Sequence, residues 1–159
     1  MKRILVFCVL AVAIVACNKD KVESTPHLKF KSVSSDHFND TVSQGLSVIL
    51  EFTDQEGDLD SVFMTRLRAN RNAPSPNYVD VPLKDLVPEF GNQNRGELQL
   101  NFDLKQDIMF GNFGSIDIPN TTPRRYETDT VLLRFYVKDK AGHTSDTAAV
   151  KPIYISRHS

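Results

Sequence analysis

The chain has 159 residues, with 19 Lys and Arg against 20 Asp and Glu and 40% hydrophobic residues. This near-neutral balance, with no basic patch, argues against nucleic acid as a partner, and the length suits one compact core. Its two cysteines, Cys8 and Cys17, both fall near the start, so disulfides, thiol catalysis and Cys-ligated zinc are excluded from everything that follows them.

The first element is a secretory leader over residues 1–16: Lys2 and Arg3 form a basic start, Ile4 to Val15 an apolar core, and Ala16 a small residue before Cys17. Such a run is too short to cross a bilayer, which takes about 20 residues. Ile14-Val15-Ala16-Cys17 resembles the lipobox at which a diacylglyceryl transferase alkylates the cysteine and signal peptidase II cuts. That resemblance implies a chain that starts at a lipidated Cys17. Its acyl chains hold it on the membrane at about 0.8 kcal/mol per buried methylene. Residues 17–26 continue as a polar tether, NKDKVESTP after the cysteine, which reaches roughly 30 Å when extended. Its Lys-Asp pair resembles the export signal of Bacteroidota surface lipoproteins. The expected location is therefore the outer membrane, on its periplasmic or its exposed face.

From residue 27 to 159 the pattern is period two. Leu46, Val48, Leu50 and Phe52 alternate with Ser47, Ile49, Glu51 and Thr53, as in a half-buried strand. The pattern returns in Leu98, Leu100, Phe102 and Leu104, and again in Val131, Leu133, Phe135 and Val137. Weaker strands are expected over His27–Val33, Ser61–Ala69, Tyr78–Leu83 and Thr147–Ile155, and no run keeps a helical period. About seven short strands in one domain predict an all-β fold, an antiparallel immunoglobulin-like β-sandwich with Greek-key connections. Residues 70–77 and 105–129 form the long connections. The second holds Ile108, Met109, Phe110 and Phe113 beside Gly111 and Gly114. It reads either as a short helix or strand capping the core or as an exposed apolar contact surface.

Asp54, Glu56, Asp58 and Asp60 alternate around Gly57 directly after a strand. Calcium takes six to eight hard oxygen ligands, and closely spaced acids on a turn supply several. The spacing is not that of an EF-hand, and seven residues are too few to enclose an ion. In the expected sandwich the loop before the last strand shares the same end, so Asp139 and Asp146 become further candidate ligands, with carbonyls near Gly142. A solvated acidic turn, in which Asp and Gly only serve the backbone, is the alternative.

The stretch FTDQEGDLD from Phe52 to Asp60 resembles a segment of many uncharacterised Bacteroidota lipoproteins with immunoglobulin-like sandwiches. YVKDKAGHTSDT, from Tyr136 to Thr147, is similar to the hairpin that closes such domains, with His143 where Asn is usual. The resemblance implies fold and location rather than an activity. The four histidines are scattered, and no nucleophile elbow, phosphate loop or zinc-protease motif is present. The expected role is a non-enzymatic interaction or accessory module at the cell envelope, bound to the membrane through Cys17 and stabilised by calcium, with an envelope protein or glycan as partner. The rival is a glycan-binding component of a polysaccharide uptake system, for which Tyr126 and Tyr78 are the candidate contacts.

Overall fold

The structure is a computed structural model that describes residues 24–41, 44–70, 79–83, 93–109 and 114–158. The leader, Cys17, most of the tether and Tyr78 lie outside them. No helix among the described residues is long and apolar enough to cross a membrane.

The fold is all-β, and its frame is built by the three strands whose alternation is strongest. In β3 (Gly45–Thr53) Leu46, Val48, Leu50 and Phe52 are buried, while Glu51 and Thr53 face out. It pairs antiparallel along its whole length with β6 (Arg95–Asp103), from Gly45 opposite Asp103 to Thr53 opposite Arg95. On its other side runs β1 (His27–Val33), giving the order β1-β3-β6. The central strand of the second sheet is β9 (Asp129–Asp139), eleven residues of unbroken alternation. It lies between β4 (Leu59–Arg68) and β11 (Ile153–Ser156), with β5 (Val79–Pro82) beyond β4 and β2 (His37–Asn39) beyond β11. Buried side chains of both sheets form one hydrophobic cluster. At its centre the rings of Phe102 and fully buried Phe135 meet at 6.0 Å.

Three departures from the expected strands have physical causes. Thr147–Ile155 is two strands, β10 (Ala148–Ala149) and β11. Between them sits Pro152, which has no N–H for the ladder. Strand β2 was not anticipated, since three residues are too few to show a period; it adds in parallel to β11 and buries Phe38. The long connection begins with a five-residue π-helical turn, Leu104–Ile108, capped by the Asp103 side chain and burying Leu104 and Ile108. It continues into a small exposed hairpin of β7 (Asp117–Ile118) and β8 (Arg125–Tyr126). The capping element expected there is therefore present, and Phe110 and Phe113 lie outside the described residues.

The register also fixes the two ends of the domain. His27 pairs with Thr53, Thr53 with Arg95, and Leu59 with Asp139. The chain thus enters β1 at the end that carries the β3–β4 loop and the β9–β10 hairpin. At the far end β6 runs into the π-turn, β4 leaves and β9 begins.

Candidate functional site

The acidic loop folds around its first residue. Asp54 is 2% exposed. Its N–H donates to the Asn94 carbonyl at 2.8 Å and its Oδ2 accepts the Asp58 N–H at 2.8 Å. The Asn94 side-chain amide donates to the Gln55 carbonyl, closing the loop against the start of β6. Gly57 sits at φ 66°, a left-handed conformation that costs other L-residues about 1–2 kcal/mol, so the turn needs glycine there.

The neighbouring hairpin is organised by Asp139. Its Oδ1 accepts the His143 N–H at 2.7 Å, and its Oδ2 lies 2.7 Å from His143 Nδ1. Gly142 turns the chain at φ 89° and donates its N–H to the Asp139 carbonyl. Burial works against charge on the Asp139 carboxyl. The hydrogen bonds from the His143 ring and from the His143 and Gly142 amides outweigh it and hold the pKa below the usual carboxylate range. Lys140 N–H donates to the Asp58 carbonyl at 3.1 Å, so the two loops touch directly.

Three of the six predicted calcium ligands are brought together in this region. Carboxylate oxygens of Glu56, Asp58 and Asp139 all lie within 4.8 Å of one another, and Asp54 is anchored beneath Asp58. The structure does not bring Asp60 or Asp146 into that group. Asp60 follows inward-facing Leu59 and is exposed, as the two-residue period demands. Asp146 is taken by β1 instead: its Oδ1 accepts the Leu28 N–H at 2.7 Å and its Oδ2 lies 3.9 Å from His27 Nδ1. On the outer side of the same end, His27, Lys29, Glu51, Phe52 and Thr53 line a cleft of about 320 Å³. Its polar lining is of mixed charge.

Tyr126 lies at the opposite end, half-buried in β8, with the Arg124 guanidinium 5.7 Å from its ring centre. Arg124 also pairs with Asp117 across the hairpin. Beside this hairpin is a buried charge network that hydrophobic periodicity alone does not reveal. Asp129 is fully buried and receives Arg68 on Oδ1 and Arg157 on Oδ2. Arg68 donates further to the Gly114 carbonyl at 2.8 Å, and Arg66 to the Ile108 carbonyl. Burial lowers the Arg66 pKa. These bonds fasten the end of the π-turn and Gly114 onto the sheet. The signal was in the register: Arg66 and Arg68 stand in phase with buried Val62 and Met64, and Asp129 with Val131.

No protein-family model and no curated protein matches the chain. Among solved structures, the sporulation control protein Spo0M from Bacillus subtilis is similar over 84% of this chain and 50% of its own, at 8% identity and TM-score 0.40. A beta-glucosidase from Kluyveromyces marxianus in complex with glucose is similar over 85% of this chain and 15% of its own, at 13% identity and TM-score 0.38. A beta-glucosidase mutant from Listeria innocua in complex with laminaribiose gives 84%, 16%, 13% and 0.36 for the same measures. The chain thus spans half of the first structure and under a fifth of the other two, and likeness at this level carries no argument about activity.

Proposed function

We propose that the chain is a lipid-anchored lipoprotein of the outer membrane whose domain is an immunoglobulin-like sandwich, acting as a non-enzymatic interaction or accessory module of the envelope. The sandwich reading is supported by strand order: β1-β3-β6 against β5-β4-β9-β11-β2 follows the A-B-E and C′-C-F-G arrangement, with β2 as an extra edge strand beside the last one. The anchor reading is supported by the lipobox ending at Cys17.

The observation that carries the functional reading is polarity. The tether enters at His27, the end bearing the acidic loops, and the exposed β7–β8 hairpin stands at the other. A chain held by Cys17 through roughly 30 Å of tether is attached at its acidic end and carries the hairpin, with exposed Ile118 and Arg125, at the end away from the attachment. Loops on a rigid frame are where such folds make contacts. The glycan-binding rival draws less support, because the Arg124 guanidinium lies over one face of Tyr126 and leaves a sugar at most the other.

The test has two arms in the native envelope. Cys17→Ser should abolish fatty-acid labelling and release the chain from membranes. A photo-crosslinker at Ile118 should give discrete adducts that one at Ala141, in the hairpin at the tether end, does not give. Retention of the Cys17→Ser chain on membranes would refute the anchor. Identical adduct patterns from Ile118 and Ala141 would refute the assignment of the contact surface.

A further inference from the structure

We propose that Glu56, Asp58 and Asp139 bind one calcium ion, which ties the β3–β4 loop to the β9–β10 hairpin. The first ground is spacing. Oxygens of Glu56, Asp58 and Asp139 lie within 4.8 Å of one another. Calcium–oxygen bonds of 2.3–2.6 Å put opposing ligands about 4.6–5.2 Å apart, so a single ion fits among all three. Magnesium demands near-ideal octahedral geometry and is usually held by only one or two carboxylates, so three acids from two loops suit calcium better. The donor set is oxygen throughout and therefore hard, which disfavours zinc and copper.

The second ground is independent of clustering. Among the described residues, the buried side-chain atoms without a hydrogen-bond partner are Asp54 Oδ1 and Asp58 Oδ1, both in this loop. Asp54 is almost wholly buried, and its other oxygen is fixed on the Asp58 N–H. A buried carboxylate oxygen facing no donor is costly. A cation held by Asp58 satisfies its orphaned Oδ1, while Asp54 braces the loop by accepting the Asp58 N–H. None of the ion pairs among the described residues involves Asp54, Glu56 or Asp58.

The remaining contacts are those expected around a ligand set. The Asp139 carboxylate is oriented by His143 from one side, as ligating carboxylates are held by their neighbours. The Lys140–Asp58 backbone bond already joins the loops, so the ion closes a contact that the fold has prepared. This inference stands whether or not Cys17 is lipidated.

The test is a calcium chloride titration of the full-length chain in detergent after treatment with chelator, read by heat and by melting temperature, with magnesium chloride in parallel. Saturable heat is expected between about 0.1 and 1 mM, the range of extracellular calcium modules. The melting temperature should rise by roughly 5–10 °C at a hundredfold excess over Kd. Asp58→Asn and Glu56→Gln should lose both responses, and Asp60→Asn and Asp146→Asn should keep them. Glu56 is exposed, so Glu56→Gln preserves the test if Asp58→Asn does not fold. No heat and no shift with calcium, an equal response to magnesium, or a calcium response undiminished in Glu56→Gln would overturn the proposal.

Discussion

Replacing Asp129 by Asn changes one atom and removes the charge that answers two buried guanidiniums. Asp129 is fully buried, and the side chains of Arg68 and Arg157 are 4% and 7% exposed. Each arginine places donors on a different carboxylate oxygen. Asn offers one acceptor oxygen, and its amide directs two donors at a guanidinium that has only donors. Breaking a buried ion pair from one side costs about 3–5 kcal/mol, because the surviving charge stays desolvated. For a domain of this size that corresponds to a fall in melting temperature of roughly 10–20 °C. Urea denaturation followed by circular dichroism measures it directly. The same reasoning predicts that Arg68→Met and Arg157→Met together with Asp129→Leu cost less than Asp129→Asn alone, since both desolvated charges leave with their partner. A loss below about 1 kcal/mol for Asp129→Asn would show that water or rearrangement already relieves the arginines, and the network would not be the fastening described here.

Phe135→Ala, at the centre of the core against Phe102, should destabilise by about 3–5 kcal/mol in the same assay. The depressed pKa of Asp139 means that its stabilisation is fully present above the ordinary carboxylate value of 3.8 and is lost as pH falls through the lower folded value. Stability measured from pH 6 downward should therefore decline through the acid range, and the decline should be shallower in Asp139→Asn. Gly142→Ala meets no atom within 4 Å but must hold φ 89°. It should lose about 1–2 kcal/mol from backbone strain alone, with an unchanged core by near-ultraviolet dichroism.

Sequence periodicity located the strands that carry most of the fold because their two faces differ sharply. Leu46 to Phe52, Leu98 to Phe102 and Val131 to Val137 all point inward. Where the two-residue rule met polar groups it lost contrast. Arg66 and Arg68 occupy inward positions of β4, and a bulge between Leu59 and Ser61 sets Ser61 and Val62 side by side in the interior. Pro152 divided a segment that reads as continuous, and Phe38 had too few neighbours to announce β2.

The site was legible in its composition and in its pairing of loops, because antiparallel register brings Leu59 opposite Asp139. Which acids join was not legible. Asp60 is turned out by the phase of Leu59, and Asp146 is claimed by a backbone N–H 118 residues away. The Arg68–Asp129 bond joins residues 61 apart, and only the shared inward phase of β4 and β9 foretells it.

The proposed anchor at Cys17 would attach the domain at its acidic end. The eleven-residue β9 separates the two ends by about 35 Å. Fluorophores on Ala141→Cys, in the hairpin at the tether end, and on Ser115→Cys, beside Gly114 at the other, would report their depth through quenching by spin-labelled lipids, with the lipidated chain in liposomes. Quenching at 141 is expected to exceed that at 115. Equal quenching, or stronger quenching at 115, would contradict it.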